Sequence, residues 1–149
     1  MSASAGTTVQ VRPKKVRRIA IPAAVVLVVV FAVAGALLGN TPTGAYFRLS
    51  DQLSMVGLGV LLAAGALLLT RPRLRADADG LEIRNLLGTQ HYSWDLVEAI
   101  SFPNGAPWAR VELPQDEYVP IMAIQATDGA HAVEAMRRLR ELRREVDGA

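Results

Sequence analysis

Between Ile19 and Gly39 the chain carries 21 residues, IAIPAAVVLVVVFAVAGALLG, with no charged side chain. A helix rises about 1.5 Å per residue, so about 20 apolar residues cross a hydrocarbon core about 30 Å thick, with the backbone polar groups satisfied inside the helix. The run predicts a transmembrane helix over 19–39, with Pro22 in its first turn, where the missing N–H matters least. A second uncharged stretch, QLSMVGLGVLLAAGALLL, predicts a second span over 52–70. Buried helices of a soluble bundle would need a polar face, and neither run has one. Composition agrees: 51% apolar, 20% charged and a mean hydropathy of +0.25 are oilier than a soluble domain of 149 residues requires.

Charge divides the rest of the chain. Arg12, Lys14, Lys15, Arg17 and Arg18 precede the first run, and Arg71, Arg73 and Arg75 follow the second. The connection 40–51 holds one Arg48 against one Asp51. Basic flanks favour the cytoplasmic side, so residues 1–18 are expected as a basic cytoplasmic tail, 40–51 as an external loop and 71–149 as a cytoplasmic domain of a multi-pass protein in the plasma membrane. Arg12–Arg18, the apolar stretch and Ala32-Val33-Ala34 also match a signal peptide cleaved after Ala34. The apolar run continues through Leu38, which suits a span better. From Ala76 onward seven basic residues face thirteen acidic ones, so the pI of 9.4 belongs to the two basic clusters and gives no reason to expect nucleic acid as a partner.

Small residues recur in both runs, as Gly35-x-x-x-Gly39 and as Gly57, Gly59, Ala63 and Gly65. Such spacing lets helix backbones approach closely in lipid, and it makes Gly35 and Gly39 candidate contact residues, first within the hairpin and next between chains. No ionisable side chain interrupts either run, which removes the usual signature of a transport path.

The remaining segment alternates like a meander. Leu74, Ala76 and Ala78 alternate with Arg73, Arg75 and Asp77, and Asp79-Gly80 offers a type I′ turn. Leu81 and Ile83 continue on one face, and Gln90 to Trp94 form a third alternating stretch. Residues 95–102 are ambiguous between a helical turn and a strand. Trp108 to Leu113 and Tyr118 to Gln125 complete six strands, with Pro120 confining the last to an edge or a bulge. Thr127 or Asp128 is placed to cap a C-terminal helix whose apolar stripe is Ala132, Ala135, Met136, Leu139, Leu142 and Val146. The fold class is therefore a two-helix transmembrane hairpin plus an α+β domain, a bent antiparallel sheet capped by one amphipathic helix.

The stretch LRADADGLEIRN, then HYSWDLVEAISFP, WARVEL, EYVPIMAIQ and the closing EAMRRLREL resembles the bacterial pleckstrin-homology-like membrane proteins of the low molecular weight protein antigen 6 PH domain family. The resemblance covers nearly the whole chain, and its most specific parts are D-G-L-x-I-R, the Trp94-Asp95 pair and the strand containing Trp108. It implies a bent antiparallel barrel closed by the C-terminal helix, with seven strands where the periodicity yields six. It implies no particular activity.

Absent chemistry narrows the function classes. The chain has no cysteine and two histidines, no H-E-x-x-H, no phosphate-cradling glycine loop and no dinucleotide fingerprint, so no catalytic, cofactor or metal residue is assigned. His91, Ser93 and Asp95 share period 2, as a solvated sheet face does, and Trp94 and Trp108 read as packing residues. The segment 76–128 counts two basic against nine acidic residues, which disfavours an anionic headgroup at the first strand turn. The leading expectation is a non-catalytic protein-binding or scaffolding module at the bilayer, with Asp116 and Glu117 as candidate contacts for an unidentified protein partner. The alternatives are an anionic-lipid or envelope-sensing domain, attracted through the basic clusters, and an accessory subunit of a membrane complex.

Overall fold

The computed structural model describes residues 6–149 apart from Thr41, Thr43 and Ala45. It comprises two units, residues 16–70 and residues 1–15 together with 71–149.

The first unit is a pair of helices, α1 (Lys15–Asn40) and α2 (Leu49–Leu68), each long and apolar enough to cross a membrane. Their outward faces are apolar, with Val25, Val29, Leu53 and Leu61 all more than half exposed. The expected connection 40–51 is shorter in the structure, because Asn40 still belongs to α1 and Leu49 already opens α2; Thr41, Thr43 and Ala45 of that loop lie outside the described residues. Asp51 explains the early start of α2. Its carboxylate accepts from the N–H of Arg48 at 2.9 Å, as a residue of the first helical turn can. The glycines set the helix spacing. A Cβ on Gly35 would stand 3.3 Å from the Gln52 carbonyl oxygen, one on Gly39 would collide with the Gln52 side-chain amide, and one on Gly59 would come within 2.6 Å of Phe31 Cβ.

The second unit holds two antiparallel sheets, β1-β2-β3-β4 and β5-β6-β7. Its strands are β1 (Val9–Val11), β2 (Arg73–Ala76), β3 (Gly80–Arg84), β4 (Thr89–Ser93), β5 (Ala99–Ser101), β6 (Trp108–Glu112) and β7 (Tyr118–Gln125), closed by α3 (Ala130–Asp147). The alternation read from residues 73–83 is the alternation found: Leu74, Ala76, Leu81 and Ile83 are fully or almost fully buried. They form one core with Val111, Ile121, Ile124 and the inner face of α3, namely Ala132, Ala135, Met136, Leu139 and Leu142.

Three expectations change. First, residues 1–18 are not simply a tail, because Val9–Val11 pairs antiparallel with β2 in the register Val9↔Ala76 and Val11↔Leu74. Both valines are buried, at 6% and 3% exposure, so this segment supplies the seventh strand. Second, Asp79-Gly80 does not form the left-handed pair of a type I′ turn; the Asp77 carboxylate accepts from the N–H groups of Asp79 and Gly80 instead. Among the described residues the two non-glycine residues with positive φ are Gln115 (67°) and Asp116 (60°), between β6 and β7. Gly80 is required for another reason, since a Cβ there would collide with the Tyr92 carbonyl oxygen. Third, residues 94–101 contain both expected forms, a 3-10 turn at Trp94–Leu96 followed by β5. Pro120 lies in β7, at a sheet edge. There the side chain of Asn85 takes the place of a strand partner, donating to the Pro120 carbonyl at 2.9 Å and accepting from the Met122 N–H at 3.2 Å.

Candidate functional site

Helix α3 exposes seven charged side chains and one valine. Gly129, with φ of 53°, turns the chain sharply between β7 and the helix, a conformation that L side chains rarely adopt. From there Ala132, Val133, Met136, Arg137, Arg140, Glu141 and Arg144 descend one side of the helix. Together with Phe102 and Ala126 they line an open, largely apolar groove of about 630 Å³. Val133 is 71% exposed within it.

The arginines of α3 are not equivalent. Arg137 pairs with Glu134 at 2.7 Å and Glu141 at 3.1 Å, and Arg138 with Glu134 at 3.0 Å. Arg143 donates to the Val97 carbonyl at 2.8 Å and lies 3.6 Å from Asp147. Among the described residues Arg140 and Arg144 have neither an ion pair nor a side-chain hydrogen bond. They also line a second groove, of about 330 Å³, with Glu98, Ala99 and Ile100 at β5 and with Arg143 and Asp147. Two cavities on one side of the molecule thus share two uncompensated guanidinium groups.

Titration follows local pairing. Hydrogen bonds from Arg137 and Arg138 hold the Glu134 carboxyl below its usual range. Hydrogen bonds from Ser101 and then Arg110 do the same to Glu112. Burial, assisted by the charge of Glu117, raises the Tyr92 phenol.

A family model for the bacterial PH domain matches residues 71–142, the stretch that forms β2 to β7 and most of α3. Over 134 residues the chain is 44% identical to uncharacterised proteins of Mycobacterium bovis and of two Mycobacterium tuberculosis strains, covering 90% of this chain and 87% of each relative. The chain belongs to the bacterial PH domain family. No solved structure matches it significantly.

The sequence-derived candidates scatter over both units. Asp116 and Glu117 stand exposed at the tip between β6 and β7, outside both grooves. Gly35 and Gly39 are in the helical unit, against Gln52 of the same chain. His91 is exposed on β4 opposite Glu82, and Trp94 is a buried core residue whose indole N–H donates to the Asp77 carbonyl at 2.8 Å. The acidic excess of 76–128 does not gather into one patch. Asp77 closes a turn, Glu82 and Glu112 pair with Arg73 and Arg110, and Asp128 is buried.

Asp128 does not cap α3, whose N-cap is Gly129 with no side-chain hydrogen bond. Its two carboxylate oxygens accept from the N–H of Lys14 at 3.1 Å and of Lys15 at 2.9 Å, where α1 begins. His131 adds a contact of 3.1 Å to the Arg12 carbonyl oxygen. The N-terminal segment is therefore held by β1 pairing, by Asp128 and by His131. Sequence reasoning also missed the α3 groove. Its only signal was Val133, an apolar residue off the helix's buried stripe.

Proposed function

We propose that this protein is a non-catalytic protein-binding module whose PH domain is carried at the plasma membrane by α1 and α2. The observation that carries the reading is the apolar groove on α3, with Val133 71% exposed and Arg140 and Arg144 uncompensated beside it. A soluble domain rarely leaves a built, largely apolar groove with an exposed apolar side chain in its lining unless something occupies it. The exposed apolar faces of α1 and α2 support the anchor, and the basic residues on their outer flanks favour the cytoplasm for both the N-terminus and the PH domain. A permanent anchor makes lipid recruitment redundant. Asp77 and Asp79 at the β2–β3 turn argue against an anionic headgroup there.

The test is crosslinking in intact membranes followed by affinity purification, comparing the full chain with a Val133→Glu variant. Val133 is exposed, so the substitution changes the groove and not the core. A defined set of proteins recovered with the native chain and lost from the variant is the expected result. Identical recoveries from both would overturn the reading and favour an accessory subunit held through its helices.

A further inference from the structure

We infer that the α3 groove docks an extended acidic segment of a partner protein, with an apolar side chain seated on Val133, Met136 and Phe102 and carboxylates meeting Arg140 and Arg144. The inference rests on the protein-binding reading above and names the chemistry of the partner.

Charge complementarity selects the occupant. Three of the five arginines on α3 are neutralised by Glu134, Glu141 and Asp147 or bound to the Val97 carbonyl. Arg140 and Arg144 alone are left to attract an external anion. They stand one helical turn apart, about 6 Å along the axis. Alternate residues of an extended chain are about 6.6 Å apart on the same side, so two carboxylates at i and i+2 match the two guanidinium groups. Planar guanidinium groups bind carboxylates in a two-pronged fashion that suits this geometry.

The groove then continues toward a sheet edge. The second cavity shares Arg140 and Arg144 and runs along β5, which ends the order β5-β6-β7. An extended segment leaving the arginines meets that edge, where strand addition provides backbone pairing. Three carboxylates also line the two grooves, Glu141 in the first and Glu98 and Asp147 in the second, and two of them are already engaged, Glu141 by Arg137 and Asp147 by Arg143. A membrane surface fits less well. Anionic headgroups would reach exposed arginines anywhere, but a flat bilayer does not enter a slot whose floor is Ala132 and Met136, both at least nine-tenths buried.

The test uses the full chain in nanodiscs of neutral phosphatidylcholine and fluorescence anisotropy of two labelled 12-residue peptides. One carries a central Leu followed by Glu at alternate positions; the other has Lys in place of Glu. Saturable binding of the acidic peptide alone is expected, weakened about tenfold or more by the pair Arg140→Glu and Arg144→Glu and two- to fivefold by each Arg→Gln change. Arg138→Glu, on the same helix but outside both grooves, should leave it unchanged. Thermal melts matching the native chain show that the variants fold. Equal binding of both peptides, or no binding of either, would overturn the inference. So would association only with added phosphatidylglycerol vesicles. A chain that captures proteins through Val133 yet ignores the acidic peptide keeps the protein-binding function and loses this assignment.

Discussion

Replacing Val9 and Val11 together by alanine should destabilise the PH domain severely, although both residues are some sixty positions from the rest of it. At 6% and 3% exposure each valine loses about two buried carbons, worth about 0.8 kcal/mol apiece, and leaves a small cavity. About 2 kcal/mol per site, or about 4 kcal/mol for the pair, is a large part of the 5–15 kcal/mol typical of a domain. For a domain of this size that corresponds to a fall in Tm of about 15–30 °C. Tryptophan fluorescence is the appropriate probe, because both tryptophans, Trp94 and Trp108, lie in the PH domain and the helical unit is silent. Gln10→Ala, on the exposed face of the same strand, is the control and should shift Tm by no more than about 2 °C. A double-valine variant that melts with the control would refute the claim that residues 9–11 complete the core.

Asp128→Asn replaces one acceptor by a donor while keeping the shape, so one of the N–H groups of Lys14 and Lys15 loses its partner. The expected loss is about 1–3 kcal/mol, with faster hydrogen exchange at those two amides; unchanged protection would contradict the role given to the carboxylate. Glu112 and Glu134 have carboxyls held below their usual range, so their contribution is present above the ordinary carboxylate pKa and lost as pH falls through the lowered value. Tm should therefore decline between about pH 5 and pH 3, and Glu112→Gln should make that limb shallower. An unaltered limb would argue against the Ser101 and Arg110 contacts. The chain has no cysteine, so single replacements report topology cleanly. A membrane-impermeant maleimide should label Tyr46→Cys in intact cells and Ala149→Cys only after permeabilisation, and the opposite pattern would contradict the proposed orientation.

Elements with a strong internal period were legible in the sequence. The two uncharged runs, the alternation of residues 73–83 and the apolar stripe of α3 from Ala132 to Leu142 all lie where periodicity puts them. Strand β1 was hidden because three residues are too few to carry a period, and its partner lies beyond the whole helical hairpin. The role of Asp128 was hidden for a related reason. A buried carboxylate beside a helix start is read as that helix's own cap, whereas the donors it serves are more than a hundred residues away. Turn chemistry misled at Asp79-Gly80, because the Asp77 side chain supplied an alternative closure. Charge counting singled out Asp116 and Glu117, which stand exposed between β6 and β7, but it could not reveal that Arg140 and Arg144 remain uncompensated while Arg137 and Arg138 are paired to glutamates on the same helix.

The most direct measurement places a photo-crosslinking amino acid at Val133 in the full chain, irradiates intact cells, and compares the products with those from the same amino acid at His91, an exposed position on β4. A discrete protein adduct at position 133 that is missing at position 91 is the expected outcome. Lipid adducts alone, or the same adducts from both positions, would contradict a protein-binding groove on α3.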